Sequence, residues 1–278
     1  MEMAKTKLII FALLCFCASS CTPTYKWHTV SMDGSMTGCK AATPDNIVGA
    51  LGVINEDGTY QSPSGKVFSQ ESATAKVASI VLGAQPKMSE VKKVIAHSEK
   101  AMTNDYVESE LSNWFVDIIM NKVSDLSGKK VDVGICNFGG IRLGMPEGDV
   151  MLDDIKSMFP FKNYIVYLEL PGRSLREIFE KMAQNRFEVL GGVRIEVEDK
   201  KVVLAEIGGE PIDDEKMYSV ATISFLLHGG DGLTLAENAS NLMVYDVAIV
   251  DAVLEHVYAL TAEGKSIKGS DVTHVVIR

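Results

Sequence analysis

The sequence is short of basic residues, and this shortage excludes several classes of partner. Lys and Arg number 27 against 37 Asp and Glu, which gives a formal net charge of −10 and an isoelectric point near 5.1. A protein that binds nucleic-acid polymers or an anionic membrane surface needs a basic surplus to displace counterions. We therefore expect neither as a partner, whereas a small phosphorylated ligand needs only local positive charge.

The apolar run near the N-terminus is too short to cross a membrane. It extends from Leu8 to Ala18 after two lysines, a layout typical of a signal peptide. The small residues before Cys21 resemble the cleavage box of a bacterial lipoprotein, and an ordinary secretory signal with an incidental cysteine is the alternative. We expect residues 1–20 to be a signal peptide and Cys21 to be lipidated. Two acyl chains would anchor the exported protein in the bacterial cell envelope, in the periplasm or at the cell surface.

Cysteine is also scarce. Of the five cysteines, two leave with the signal peptide and Cys21 is the predicted anchor. Cys39 and Cys136 remain. They can form a disulfide in an oxidising compartment, or they can be two separate buried thiols, and the sequence leaves both readings open.

Composition and periodicity predict a packed core in an α+β fold. Hydrophobic residues make up 46% of the chain and charged residues 23%, which is ordinary for a globular protein.

Residues 21–107 read as an N-terminal tether and accessory segment, with a strand at Tyr25–Met32 and helical patterns at Ala75–Leu82 and Ser89–His97, separated by Pro86. Residues 108–278 mix helices and strands without strict alternation, which predicts one domain with a mixed β-sheet and packed helices. The predicted elements of this domain are a helix from Ser109 carrying Leu111, Trp114, Phe115, Ile118 and Ile119; a half-buried strand Val131–Ile135; a short helix Leu152–Phe159; a strand Tyr164–Leu170; a helix carrying Leu175, Ile178, Phe179 and Met182; a hairpin turning at Asp199-Lys200; a strand Tyr218–Thr222; a helix carrying Val250, Val253, Leu254 and Val257; and a strand Val272–Ile277.

The most informative stretch runs from Asn137 to Asn163. Gly139 and Gly140 interrupt the alternation after a strand, so the backbone is free to take positive φ and to approach a ligand closely. Arg142 follows them and offers a fixed fork of N–H donors suited to phosphate or carboxylate; a structural ion pair is its alternative role. Phe161 and Asn163 stand two residues apart after Pro160, so they can share one face of an extended chain.

A second stretch, Phe225 to Gly232, reads FLLHGGDG. The glycines around Asp231, among them Gly229 and Gly230, make a flexible loop. Its carboxylate can accept hydrogen bonds from a sugar diol, or it can serve only its own tight turn.

Taken together, the motifs NFGGIR, PFKN and FLLHGGDG resemble the C-terminal, substrate-binding domain of the 5′-nucleotidase / UDP-sugar hydrolase family, over Glu108 to the end of the chain. The resemblance implies that Phe161 and Phe225 sandwich a nucleobase, that Asn163 bonds the base and that Asp231 holds the ribose. The alternative for each phenylalanine is an ordinary core position. Asn137 reads as a loop stabiliser.

Histidine is scarce where the family's chemistry would need it. In the resembled family, hydrolysis belongs to a separate N-terminal metallophosphatase domain with DxHG, NHE and GHxH motifs, because a two-metal centre needs several convergent ligands. The five histidines here are scattered singly and form none of these motifs. Family members often carry phosphate-binding arginines just upstream of the first helix, but Ala101–Glu110 contains none, which leaves Arg142 alone for the phosphate.

These observations predict a nucleotide- or nucleoside-recognition domain that has no metal or other cofactor of its own. It would act in nucleotide catabolism with a separate metallophosphatase chain that carries two divalent metals. The alternatives are a stand-alone nucleoside- or nucleotide-binding lipoprotein, and a degenerate domain used for protein–protein contact.

Overall fold

The computed structural model describes Ala42 and residues 45–278, and the described residues from 45 onward belong to one compact unit. The predicted signal peptide, Cys21, Cys39 and the predicted strand Tyr25–Met32 lie outside the described residues. Cys136 is a buried free thiol, and its burial raises its pKa. None of the helices in the described residues is long and apolar enough to span a bilayer.

Helices and strands are mixed along the chain. The helices are α1 Ile47–Leu51, α2 Ala73–Met88, α3 Glu110–Ser127, α4 Leu152–Met158, α5 Gly172–Gln184 and α6 Ile249–Ala262. The strands are β1 Val53–Ile54, β2 Tyr60–Gln61, β3 Val67–Phe68, β4 Val94–Ser98, β5 Val133–Cys136, β6 Gly148–Met151, β7 Tyr164–Pro171, β8 Val189–Gly191, β9 Val193–Glu198, β10 Lys201–Ile207, β11 Glu210–Pro211, β12 Met217–Ile223, β13 Ser240–Ala248 and β14 Val275–Ile277.

The main sheet has five strands in the order β13-β7-β12-β5-β8. Strands β5 and β12 pair in parallel, and the other neighbours pair antiparallel. Helix α3 packs against this sheet through its buried stripe, which includes the predicted Leu111, Phe115 and Ile119. The sheet is therefore mixed and covered by a helix, which confirms the predicted α+β class.

The start and end of α3 follow from local chemistry. Ser109 accepts a hydrogen bond from the Ser112 backbone N–H at 3.1 Å, and the Ser112 hydroxyl accepts one from the Ser109 N–H at 2.9 Å. This reciprocal cap satisfies donors that would otherwise lack partners at a helix start. Gly128 ends the helix with a left-handed φ of 67°.

The prediction of a half-buried strand before the first glycine motif is wrong. All four residues of β5 are buried, because β12 and β8 flank the strand and α3 covers it. A Cβ on Gly134 would lie 2.5 Å from the Val116 side chain, so the close approach of α3 requires glycine there.

A second sheet, in the order β11-β10-β9-β14, lies against α5 through β10. The predicted hairpin is confirmed: β9 and β10 pair antiparallel and turn at Asp199 and Lys200, with φ of 47° and 61°. Positive φ at both turn residues is the conformation that a two-residue hairpin loop needs.

Residues 45–88 form a small layer of α1, α2 and the three-stranded sheet β1-β2-β3. The predicted Ala75–Leu82 helix lies within α2. Pro86 does not end it, since α2 continues for two more residues to Met88.

The prediction of a helix at Ser89–His97 is wrong, because Val94–Ser98 forms β4 and pairs antiparallel with β6. Tertiary pairing overrides the apparent helical spacing here.

Backbone contacts cross the predicted boundary between residues 107 and 108. Strand β4 pairs with β6, and Met102 and Met145 exchange backbone hydrogen bonds of 3.0 and 2.9 Å. The segment just before Glu108 is thus built into the layer that follows it.

Candidate ligand-binding site

Three loops meet at one edge of the main sheet. Because β5 and β12 are parallel, their carboxyl ends lie at the same edge, and the antiparallel β7 begins there. This places together the loop after β5, the PFKN segment before β7 and the FLLHGGDG loop after β12. The carboxyl ends of strands are a common location for ligand sites in sheets with parallel pairs.

An apolar pocket of about 260 Å³ lies between these loops. It is lined by Asn137, Gly139, Phe161, Asn163, Phe225 and Asp231. The rings of Phe161 and Phe225 remain 47% and 43% exposed, so neither is a core aromatic. The structure therefore brings together, around one pocket, residues that lie far apart in the sequence.

A hydrogen bond from a backbone N–H to a serine side chain joins the loops that carry the two rings. The Tyr164 N–H donates to Ser224 Oγ at 3.1 Å, which ties the PFKN segment to the residue before Phe225. Asn163 is held by its own backbone: its N–H donates to Phe161 O at 2.9 Å, and its carbonyl accepts from Ile249 at the start of α6. The side chains of Phe161 and Asn163 thus project from a fixed turn.

Some glycines of the site are needed because neighbouring atoms leave no room for a Cβ, and others because their φ is positive. Gly139 and Gly140 lie in a 3₁₀ turn, Phe138–Gly140, and neither adopts positive φ, so that expectation is wrong. A Cβ on Gly140 would lie 2.7 Å from Asn137 Oδ1, and one on Gly230 would lie 2.2 Å from the Phe225 carbonyl oxygen. Gly229 has a φ of 105° and begins the turn that carries Asp231.

Asp231 is held at the pocket by Asn137. The Asn137 side-chain N–H₂ donates to Asp231 Oδ2 at 2.8 Å, a contact between residues 94 apart in the sequence. Asn137 is itself buried. This hydrogen bond connects the loop after β5 with the loop after β12 and leaves the second carboxylate oxygen of Asp231 to other donors.

A larger, polar pocket of about 460 Å³ adjoins the apolar one, and the two share Gly139 and Asp231. Its other lining residues are Asn104, Tyr106, Phe138, Ile141, Arg142, Asn185, Arg186 and Glu188. The expectation that Arg142 stands alone is wrong, because Arg186 lines the same pocket.

Both pocket arginines are supported by aromatic rings. The Arg142 Cζ lies 5.8 Å from the centroid of the Phe161 ring, and its Nη1 donates to the Gly139 carbonyl at 3.2 Å. The Arg186 Cζ lies 4.9 Å from the Tyr106 ring and 6.0 Å from the Phe138 ring. Cation–π contacts of this kind orient a guanidinium without neutralising it.

Glu188 is a buried carboxylate in the wall of the polar pocket, only 7% exposed. Burial raises its pKa, and the nearby Asp231 charge raises it further. A hydrogen bond of 2.9 Å from the Phe138 backbone N–H to its Oε2, together with Arg186, acts in the opposite direction. The balance favours the neutral carboxyl more than in an exposed glutamate.

Three of these residues escaped the sequence analysis. Arg186 and Glu188 follow the end of α5, and Tyr106 precedes α3, so none belongs to a glycine motif. The polar pair Asn185-Arg186 after the apolar stripe of α5 is the one local signal. Their place in the site depends on the packing of α5 against the main sheet, which no local pattern reveals.

The described residues contain no group of three or more His, Cys, Asp or Glu side chains that could hold a metal ion. His97 faces Asp149 at 3.7 Å, and His274 is buried with Nδ1 3.0 Å from the Val193 carbonyl. His228, in the FLLHGGDG loop, is exposed. The described histidines therefore stay dispersed in the folded chain.

Comparison with known proteins places this architecture in a family. Residues 91–238, more than half of the chain, match the family model described as 5′-nucleotidase, C-terminal domain. The chain belongs to that family. The match begins before β4, consistent with the pairing of β4 and β6 across the predicted domain boundary.

Individual proteins also resemble this chain in sequence or in fold. An apyrase of Tabanus yao is 30% identical over 207 residues, which cover 62% of this chain and 37% of the apyrase. Protein UshA of Salmonella pullorum is 30% identical over 132 residues, which cover 45% of this chain and 24% of UshA. A 5′-nucleotidase precursor from Thermus thermophilus shares the fold, with a TM-score of 0.62 and 24% identity over 73% of this chain and 43% of its own. The chain thus spans well under half the length of each of these proteins.

Proposed function

We propose that this chain recognises the nucleoside part of a nucleotide for a 5′-nucleotidase-type phosphohydrolase system. The observation that carries the proposal is the apolar pocket, in which the half-exposed rings of Phe161 and Phe225 stand together with Asp231 beside an arginine-lined pocket. Membership of the 5′-nucleotidase C-terminal domain family supports it.

Each group has a defined role in the proposal. A base stacks between Phe161 and Phe225, and stacking contributes roughly 1–3 kcal/mol per base in single-strand binders. The Asn163 amide offers both donors and an acceptor for a base edge. Asp231, with one oxygen engaged by Asn137, accepts hydrogen bonds from the ribose hydroxyls. Arg142, at the border of the two pockets, contacts the phosphate.

The catalytic step is assigned to a separate metallophosphatase chain, which would carry the two divalent metals in nucleotide catabolism. The mature chain is proposed to reside in the bacterial cell envelope, held by acylated Cys21.

Calorimetric titration of the purified chain from Thr22 onward with adenosine and AMP tests recognition. We expect both to bind, and Phe225→Ala to weaken both by about ten- to a hundredfold, the loss expected from removing one stacking ring. Tyr258→Ala is the matched control: Tyr258 is 47% exposed on α6 and lines neither pocket.

The same protein, with Mn²⁺ or Zn²⁺ added, is expected to release no phosphate from AMP.

Two outcomes would contradict the proposal. If neither ligand binds at millimolar concentration, the pocket is vestigial or is completed only by a partner chain, and the alternative of a domain used for protein–protein contact is favoured. If purified protein releases phosphate in a reaction that a chelator abolishes, the chain carries its own metal centre. Binding without any effect of a phosphohydrolase partner would favour a stand-alone nucleoside-binding protein.

The lipid anchor has its own test. Cys21→Ala, expressed in the native host, is expected to abolish partitioning into the detergent phase, because a single N-terminal cysteine would carry the acyl chains. Cys39→Ala serves as the control. Unchanged partitioning of the Cys21 variant would show that the protein is not anchored there.

A further inference from the structure

The two arginines of the polar pocket differ from every other arginine in the protein. The sequence contains six arginines, all of them within the described residues. Four form ion pairs on the surface: Arg173 with Glu215, Arg176 with Asp214, and Arg194 and Arg278 with Glu196. Within the described part of the chain, Arg142 and Arg186 join no ion pair. In a chain with a net charge of −10, two guanidinium groups that line one pocket and join no ion pair in the described residues indicate a site for an anion.

The two arginines occupy different positions relative to the apolar pocket. Arg142 lies over Phe161, a wall of the apolar pocket, and so stands at the junction. The ring contacts of Arg186 are with Tyr106 and Phe138, which line the polar pocket alone. A ligand that enters from the base pocket therefore meets Arg142 first and Arg186 second.

The polar pocket has room for more than one phosphate. Its volume is about 460 Å³, many times the roughly 30 Å³ that one water molecule occupies. A single phosphate group with five heavy atoms would leave most of this space to water. A second phosphate would fill more of it and reach the wall that carries Arg186.

We propose that Arg186 is a specificity-determining residue that binds the second phosphate of a nucleoside diphosphate, whose first phosphate contacts Arg142. This inference rests on the proposed recognition of base and ribose, and it adds the class of ligand: a nucleoside carrying two linked phosphates. Arg186 lies outside the three motifs, and its guanidinium is presented by the Tyr106 ring.

Within the described residues, the two carboxylates of the pocket form no ion pair with these guanidinium groups, and each accepts a hydrogen bond from another donor. Asp231 is engaged by the Asn137 amide, and Glu188 is buried with its Oε2 on the Phe138 N–H. Burial raises the Glu188 pKa, and Arg186 acts in the opposite direction. Arg186 itself is exposed, so its N–H donors face the pocket and solvent.

Titrations of adenosine, AMP and ADP into the chain from Thr22 onward, with EDTA present, test the inference. We expect affinity to rise in the order adenosine, AMP, ADP. Arg186→Gln should weaken ADP by about ten- to a hundredfold, the loss expected for a hydrogen bond to a charged group. It should change AMP and adenosine by less than about twofold. Arg142→Gln should weaken AMP and ADP alike.

Two further variants sharpen the result. Arg186→Lys keeps the charge but loses the planar fork stacked on Tyr106, so it should restore only part of the ADP affinity. Arg194→Gln removes an ion-paired surface arginine and should leave all three affinities unchanged. Thermal unfolding midpoints of all variants establish that each one folds.

The outcomes separate this inference from the proposed function. If ADP and AMP bind equally well, or if Arg186→Gln weakens AMP as much as ADP, the second-phosphate role is overturned. Recognition of the nucleoside then still stands, provided that Phe225→Ala weakens all three ligands. If none of the three ligands binds, the nucleoside site and the diphosphate specificity are both overturned.

Discussion

Glu188 places an acid in a setting that disfavours its charge. It lies in the wall of the polar pocket with the Asp231 carboxylate nearby, and Arg186 gives only partial compensation, since the two form no ion pair in the described structure. A carboxyl group in such a place needs a hydrogen-bond partner both when it is ionised and when it is protonated. The Phe138 N–H provides one for the ionised state.

The raised Glu188 pKa predicts a pH-dependent contribution to stability. Because the folded pKa lies above the unfolded one, folding retains the proton, and the stability contributed by this group is fully present below the unfolded pKa of about 4.3. It is lost as pH rises through the folded pKa. Glu188→Gln removes this loss and keeps an oxygen acceptor for Phe138. We expect the variant to be more stable than the wild type at pH 7 and equally stable at pH 4.

Urea unfolding at both pH values measures this difference. Glu147→Gln is the control, because Glu147 lines neither pocket. A Glu188 variant that is less stable at neutral pH would mean that the ionised carboxylate is needed to hold the Phe138 turn.

Among single residues, local motifs mark those that line the apolar pocket, whereas residues brought to the polar pocket by packing alone carry no such mark. Phe161, Asn163, Phe225 and Asp231 stand in loops whose composition marks them, and the structure gathers all four around one pocket. Arg186 reaches the polar pocket because α5 packs against the main sheet. This packing brings Arg186 close to Phe138, about fifty residues earlier in the chain. No local periodicity contains that information.

At the scale of elements, the turn Phe138–Gly140 sets the geometry between the loops. It directs Asn137 toward Asp231, and its Gly140 leaves no space for a Cβ beside Asn137 Oδ1. Its neighbour Gly139 is less constrained, since a Cβ there would lie 3.4 Å from Asn137 Nδ2. The two adjacent glycines therefore offer a matched pair for mutagenesis.

We expect Gly140→Ala to displace the buried Asn137 side chain and break its hydrogen bond to Asp231. The loss should destabilise the fold by roughly 1 kcal/mol, the typical net contribution of a hydrogen bond, and weaken adenosine and AMP several-fold. Gly139→Ala should leave the stability unchanged, because a Cβ there would make only an ordinary contact of 3.4 Å with Asn137 Nδ2. Urea unfolding and calorimetry on both variants measure the contrast. Equal effects of the two substitutions would refute the role assigned to Gly140.

Elements with strong local signals were predicted, and those defined by distant partners were not. Helix α3 has a cap, an apolar stripe and a terminal glycine, and the β9–β10 hairpin has its turn pair, so each follows from neighbouring residues. Strand β4 pairs with β6, about fifty residues onward, and its sequence alone resembled a helix. Strand β5 alternates in sequence, yet α3 and both neighbouring strands bury it entirely.

At the scale of the whole molecule, the segment from β4 to Tyr106 lies inside the family match and connects the β6 layer with the site. Ala96 and Met102 are buried in the main core, and the Tyr106 hydroxyl accepts a hydrogen bond of 3.1 Å from the Phe187 N–H. This segment therefore supports both the β6 layer and the wall of the polar pocket that holds Arg186.

Truncation tests this dependence. A chain of residues 91–278 is expected to unfold cooperatively and to bind AMP. A chain of residues 108–278 should be less stable by at least about 2–5 kcal/mol, the typical effect of deleting one large buried side chain such as Met102. Urea unfolding of the two proteins, with the chain of residues 45–278 as reference, gives the comparison. Equal stability of the two shorter chains would support the predicted domain boundary at residue 108.

The hydrogen bond between Asn137 and Asp231 also has a consequence for motion. Because it joins the two loops, we expect the empty site to exchange between a joined form, in which this bond is made, and a separated form, in which it is broken. The apparent dissociation constant is then the intrinsic one divided by the joined fraction. A bound nucleoside draws the population toward the joined form, and backbone amide exchange should slow in both loops together, although 94 residues separate the two partners along the chain.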